Sequence, residues 1–128
     1  MLLIDLDHFK PVNDELGHAA GDELLRQLAN RLMRSLRASD TVARLGGDEF
    51  AVLLTQDGEE GARATARKVR ETVQEPFDIG GVQRKIGTSV GIAVYPRDAH
   101  DAAALLRHAD AAMYRAKRSR SRTAAAIR

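Results

Sequence analysis

The chain has 128 residues and contains no cysteine and no tryptophan. The lack of cysteine excludes disulfides and thiolate metal centres. It also suits a reducing compartment, so the expected location is the cytoplasm. Aromatic residues make up 4% of the chain, three phenylalanines and two tyrosines. That is too few for a base-stacking platform, and no nucleic-acid partner is expected. Apolar runs of about 18 residues are missing too, so nothing in the chain is expected to span or contact a membrane. Met1-Leu2-Leu3-Ile4-Asp5 has neither the charged start nor the length of a secretory signal. No repeat or low-complexity linker divides the sequence, which predicts one domain over residues 1–128. A chain of this size buries roughly two-thirds of its surface on folding, enough for a core without staples.

The charge is unevenly distributed. The net charge is only +2, yet residues 1–22 hold Asp5, Asp7, Asp14, Glu15 and Asp22 against the single cation Lys10. Residues 115–122 hold Arg115, Lys117, Arg118, Arg120 and Arg122 and no acid. A basic segment alone fits nucleic acid, a membrane surface or a solvated end. An acidic and a basic cluster in one small domain also fit metal at one side and phosphates at the other.

Hydrophobic periodicity supplies the framework. Met1 to Asp7 is an apolar run closing on alternating carboxylates, which suits a central strand with Asp5 and Asp7 on one face. His8 to Leu16 predicts a short helix ended by Gly17. A second helix is expected from the Gly17–Asp22 turn to about Arg37. Leu25, Leu28, Leu32 and Leu36 form its inward stripe, and Arg26, Arg31 and Arg34 face solvent. Thr41-Val42-Ala43 and Phe50 to Leu54 read as a hairpin around Gly46-Gly47. After a loop near Asp57-Gly58, Glu59–Glu75 predicts a third helix with Ala62, Ala66, Val69 and Val73 inward, stopped by Pro76. Phe77–Ile79 and Val82 to about Val94 read as two strands, with Gly87 and Gly91 marking bulges or close packing. Ala102 to Lys117 predicts a fourth helix with Leu105, Leu106, Ala109, Ala112, Met113 and Ala116 inward. Residues 120–128 read as a tail or a short last strand. The expected class is α/β (α+β): a central mixed five-stranded sheet flanked by helices.

The hairpin tip, Gly46-Gly47-Asp48-Glu49, reads by itself as an acidic turn, since Gly and Asp favour turns on conformational grounds. Its weight changes beside the first strand, whose end brings Asp5 and Asp7 toward Asp48 and Glu49. Converging carboxylates are costly unless cations neutralise them. Hard oxygen ligands suit Mg²⁺, with Mn²⁺ as an alternative. Such a set is what two-metal nucleotidyl transfer requires.

Five stretches together resemble one known family, the GGDEF domain. They are Asp5–Asp14, Gly17–Asp22, Arg44–Phe50, Ser89–Ala93 and Ala109–Lys117, in the family's order over about residues 1–117. The resemblance implies a nucleotidyl-cyclase or polymerase-palm-like fold and a diguanylate cyclase. Such an enzyme joins two GTP molecules into cyclic di-GMP and releases two pyrophosphates, working as a homodimer of two facing domains. It implies that Asp5, Asp48 and the Leu6 carbonyl ligate Mg²⁺, with Asp7 serving a second ion. Asp48 assists deprotonation of the ribose 3′-hydroxyl, and Glu49 flanks it. Gly46 and Gly47 leave room for the nucleotide. Asn13, His18 and Asp22 line the guanine and ribose pocket. Lys10, Lys117 and backbone N–H groups near His8 and Phe9 hold phosphates. Arg37-Ala38-Ser39-Asp40 matches the family's Arg-x-x-Asp inhibitory site, where the product binds as a stacked dimer.

Two departures accompany the resemblance. The family usually carries a further segment ahead of the first strand, whereas this sequence starts inside that strand. The expectation is a fragment, a trimmed piece or a misassigned start, with a sensory or other neighbouring domain in the full-length protein. The family's phosphate-binding Arg, after Lys117, has Ser121 at its place, leaving Arg120 or Arg122 as substitutes. The competing expectation is a catalytically inactive module that binds GTP or cyclic di-GMP and regulates its neighbour.

Overall fold

The structure is a computed structural model that describes residues 1–55 and 58–127, with side chains to residue 119. Strand β1, Leu2–Asp7, leads into helix α1, Phe9–Leu16, and α2, His18–Ser35. The hairpin β2, Thr41–Gly46, and β3, Glu49–Leu53, precedes α3, Glu59–Gln74. The strands β4, Phe77–Ile79, β5, Val82–Arg84, and β6, Gly87–Ile92, precede α4, Ala102–Ile127. The expected α+β class is the one observed.

The strands divide into a four-stranded sheet, ordered β2-β3-β1-β6, and a separate two-stranded β4-β5 ribbon. All pairings are antiparallel. The long strand expected from Val82 to Val94 breaks at Lys85-Ile86, because Ile86 turns inward and is buried in the main core. Gln27 of α2 and an Arg84–Glu15 ion pair of 2.6 Å tie the ribbon to the helices. The expected last strand is absent: α4 continues as helix through Ile127. The loop expected near Asp57-Gly58 falls partly on residues outside the described ones.

Period-two alternation in β1 sorts the core. Leu2, Ile4 and Leu6 point to the larger cluster, with Leu24, Leu28 and Leu32 of α2 and Ala62, Ala66, Val69 and Val73 of α3. Leu3 points the other way, against Ala51, Ala109 and Met113. Helices α2 and α3 therefore cover one face and α4 the other. Gly91 permits the α4 contact, since a Cβ there would lie 2.0 Å from the Ala109 carbonyl oxygen. The close-packing reading of that glycine is the correct one. Three helix expectations shift. Leu36 stands at the C-cap of α2, half-buried, and still packs against the main core. Arg31 is half-buried and seals the end of α3, donating to the carbonyls of Thr72, Glu75 and Pro76, with its guanidinium 3.7 Å over Phe77. Leu106 is exposed.

Candidate active site

The site lies where β1 ends beside the hairpin tip. Gly46 and Gly47 make the tip with φ of 147° and 49°, conformations costly for other residues. A bulge between Arg44 and Gly46 re-aims the turn, and Arg44 Nε donates to the Gly47 carbonyl at 3.0 Å. The Leu6 N–H donates to the Asp48 carbonyl at 3.3 Å, bringing Asp48 to the strand end. A strand residue turns its N–H and C=O to the same side. The Leu6 carbonyl therefore faces the edge that carries Asp48.

Asp5 pairs with Glu49 across one neighbour and with Ser89 across the other. Directly paired side chains share a face, here the face covered by α4. Asp7 lies on that face too, and it accepts bonds from the buried Ser89 hydroxyl at 3.2 and 3.3 Å. Lys117 reaches in from α4, 2.9 Å from Asp5 and 3.8 Å from Asp7. Its bond to Asp5 raises the lysine pKa further above the ordinary value. Burial pushes the Asp48 carboxyl up, reinforced by the charge of Asp5 and a hydrogen bond shared with it. Glu49 is pushed up by burial first, then by Asp5, Asp110 and Asp48.

This is a carboxylate cluster short of positive charge. Lys117 offsets part of the deficit, while burial first and the neighbouring acids second hold Asp48 and Glu49 above their ordinary values. Among the described residues, no three acidic or imidazole side chains form a ready-made cation cage. The available donors are the Asp5 and Asp48 carboxylates and the Leu6 carbonyl. These are hard oxygens facing one edge, and they fit a divalent cation that completes its shell with water or phosphate.

The remaining predicted residues fall into three groups. His8, with φ of 66°, makes the corner into α1 and leaves Phe9 and Lys10 at the helix start beside the strand end. Asn13 and His18 meet across the α1–α2 corner, with Nδ2 and Nδ1 2.9 Å apart. Close packing at Gly21 places Asn13, whose Oδ1 would lie 2.2 Å from a Cβ there. Asp22 is exposed one turn beyond His18 on α2. Arg37 and Asp40 form a local turn, with the Arg37 N–H donating to Asp40 Oδ2 at 3.0 Å and the Asp40 N–H to the Arg37 carbonyl at 3.0 Å. They line a cleft of about 300 Å³ with Arg34 and Lys68. The structure thus brings Asp5, Leu6, Asp7, Asp48, Glu49 and Lys117 together. Asn13 and His18 form a second group, and Arg37 and Asp40 a third. The side chains of Arg120 and Arg122 lie outside the described residues.

Sequence reasoning assigned no role to Ser89, Asp110 or Lys68. Ser89 was readable from strand register, since it stands opposite Asp5. Asp110 and Lys68 became neighbours of their sites only through helix packing, which no local spacing announces.

The sequence matches the profile of the family described as "Diguanylate cyclase, GGDEF domain" over residues 1–123. It is 49% identical over 121 residues to the diguanylate cyclase TpbB of Pseudomonas aeruginosa, covering 92% of this chain and 28% of that protein. It is 41% identical over 119 residues to the cyclic di-GMP phosphodiesterase NbdA of the same species, covering 91% and 15%. The crystal structure of the GGDEF domain of the P. aeruginosa protein YfiN or TpbB superposes with a TM-score of 0.89 at 48% identity, covering 92% of this chain and 74% of that one. The GGDEF domain of DgcB from Caulobacter crescentus, solved in complex with c-di-GMP, gives a TM-score of 0.82 at 29% identity, covering 92% and 71%. The chain spans between 11% and 28% of the length of the first curated relatives it matches. With the profile matching nearly end to end and the carboxylates gathered where β1 meets the hairpin, the chain belongs to the GGDEF family.

Proposed function

We propose that this domain is a diguanylate cyclase that condenses two GTP into cyclic di-GMP, each of two facing copies holding one GTP. The observation that carries the reading is the pairing of Asp5 with Asp48 beside Glu49, with the Asp48 carboxyl held above its ordinary range. Asp5, Asp48 and the Leu6 carbonyl would hold Mg²⁺ or Mn²⁺, with Asp7 available to a second ion. When bound, the metal supplies Lewis-acid stabilisation of charge on the transferred phosphoryl group. Asp48, whose raised pKa brings it nearer to the working range of a base, accepts the proton of the ribose 3′-hydroxyl. Glu49 keeps that corner acidic. Gly46 and Gly47 let the nucleotide approach the hairpin backbone.

Lys117 and Lys10 hold phosphates, with the N–H groups at the start of α1 near Phe9. Asp22 accepts from guanine N1–H and N2–H₂, and Asn13 and His18 supply the amide and imidazole beside it. The 3′-hydroxyl of each GTP attacks the α-phosphate of the other and expels pyrophosphate. The two halves must face each other for this, so the homodimer belongs to the mechanism. A sensory or other domain in the full-length protein would control the pairing. Cyclic di-GMP would return to the Arg37–Asp40 cleft, where a guanidinium fork and a carboxylate match guanine edges and phosphate.

The test is turnover of GTP by the domain dimerised through a fused partner. Asp48→Ala should abolish cyclic di-GMP formation while the fold persists by circular dichroism, and undiminished product in that variant would falsify the assignment. Arg37→Ala should relieve product inhibition and leave the initial rate intact; unchanged inhibition removes Arg37 from that role.

A second reading, a module that binds GTP or cyclic di-GMP without turnover, is favoured by one observation. The chain is 41% identical to a stretch of NbdA, which is named a phosphodiesterase. Calorimetry with GTP and Mg²⁺ beside the turnover assay separates the two readings, since binding without product in the dimer supports the module.

A further inference from the structure

The two ends of a side-chain amide, a carbonyl and an amine, have nearly equal size, so their partners decide which way the group faces. Asn13 is half-buried at the corner between α1 and α2. The Gly17 N–H donates to the Asn13 backbone carbonyl at 2.9 Å, and Gly17, with φ of 94°, turns the chain into α2. That turn sets His18 beside the Asn13 side chain, with Asn13 Nδ2 2.9 Å from His18 Nδ1. The amine of an amide only donates, so Nδ1 accepts. A ring nitrogen that accepts carries no proton, and the ring hydrogen of His18 therefore sits on Nε2.

Packing places the other end of the amide. Asn13 Oδ1 fills the space over Gly21, where a Cβ would lie 2.2 Å from it and 3.2 Å from Phe9 Cζ. Gly21 is buried, and the next residue, Asp22, is exposed. One Nδ2 hydrogen goes to His18, so the amide keeps Oδ1 and one N–H for a ligand. Guanine carries the complementary pair on one edge, an N2–H donor beside the N3 acceptor. Asp22, accepting from N1–H and one N2 hydrogen, leaves the other N2 hydrogen for Oδ1. Turned end for end, the amide would give Oδ1 to the imidazole and offer the base two N–H donors. Those oppose the guanine 2-amino group instead of accepting from it.

We propose that His18 is a positioning residue for base selection. By accepting from Nδ2 it fixes the polarity of the Asn13 amide, and the site then reads the 2-amino group that distinguishes guanine from hypoxanthine. This role rests on the guanine-binding reading of Asn13 and Asp22 given above. It changes the place of His18 within that reading, because the imidazole acts through Asn13 and not on the nucleotide itself.

The first measurement needs no nucleotide. Nitrogen-15 NMR of the histidine rings should show His18, assigned by its loss in His18→Asn, as the Nε2–H tautomer. An Nδ1–H ring overturns the proposal. The second is calorimetry of the undimerised 128-residue chain with GTP and with inosine triphosphate, each with Mg²⁺. The two bases differ only in the 2-amino group. The parent should bind GTP about tenfold more tightly, since a site built to bond a group rejects the analogue that lacks it. His18→Leu fills the place without accepting. It should weaken GTP by about tenfold and inosine triphosphate hardly at all. His18→Asn, whose Oδ1 can stand in for Nδ1, should restore the preference. His18 is exposed, and circular dichroism checks that both variants fold. Equal weakening of both nucleotides in His18→Leu, as a merely structural role gives, overturns the proposal, and so does a preference that this variant keeps. A parent that binds both nucleotides alike, or neither, overturns the guanine reading of Asn13 and Asp22 and this role with it.

Discussion

Asp48 and Asp98 sit at opposite ends of the same sheet and behave in opposite ways. Asp98 is surrounded by donors. It accepts the Val94 N–H at 2.7 Å and two Arg97 bonds at 3.0 and 2.9 Å, with His108 at 3.6 Å. The Arg97 bond is the largest reason that its pKa falls to about 2. Asp48 is partly buried and has the Asp5 carboxylate beside it, and its pKa rises, by burial first and by that charge second. An acid that serves the fold collects its donors within the chain. Asp48, the acid proposed to hold a cation, is left short of them, and its raised pKa marks the shortfall.

The first way to break this comparison is to remove the satisfied acid. Asp98→Ala leaves the Val94 N–H and Arg97 without their acceptor, and should cost about 1–3 kcal/mol in urea denaturation at neutral pH. Because the folded pKa of Asp98 lies below its unfolded value, its contribution is complete above about pH 4. It is lost as pH falls toward 2, so the variant and the parent should converge there. A constant difference across that range would show that Asp98 acts by packing alone.

The unsatisfied acid has the opposite sign. A folded pKa raised above the unfolded one means that the folded state binds more protons between the two values. Metal-free protein therefore loses stability as pH rises out of the ordinary carboxylate range and through the raised values of Asp48 and Glu49. Asp48→Asn should remove part of that loss and raise the thermal midpoint of metal-free protein at pH 7. The gain should be less than about 1 kcal/mol, because solvent screens the pair. Adding Mg²⁺ should stabilise the parent and not the variant, reversing their order. A variant less stable than the parent without metal would contradict the charge-deficit reading.

The same contrast explains what could be read in advance. Asp5 and Asp7 were legible because strand alternation has a rigid period, and Gly46-Gly47 because a hairpin with those glycines has few solutions. The leucine stripe of α2 and the alanine and valine stripe of α3 were legible for the same reason. Arg31 was not, since whether an arginine on a helix flank meets water or the end of another helix depends on tertiary packing. The break at Ile86 was hidden by an apolar alternation that continues through it. Lys117 was assigned to phosphate by resemblance, but its present partners, Asp5 and Asp7, come from a strand more than a hundred residues earlier. Only the packing of α4 across Gly91 brings them together.

Lys117 offers the smallest and sharpest test, because among the described residues it is the cation that tempers the contrast. Its side chain is 44% exposed, so Lys117→Met should lower metal-free stability by only about 0.5 kcal/mol. The informative measurement is the Mg²⁺ titration of the thermal midpoint. In the parent, an incoming ion must compete with the ammonium for Asp5. In the variant that competitor is gone, so Mg²⁺ without nucleotide should act at lower concentration, while GTP with Mg²⁺ should bind more weakly for want of the phosphate contact. Opposite shifts for the bare ion and for the nucleotide would mark Lys117 as a placeholder that leaves Asp5 for phosphate. Parallel shifts would reduce it to an ordinary surface ion pair, and Asp5 would then resemble Asp98 more than Asp48.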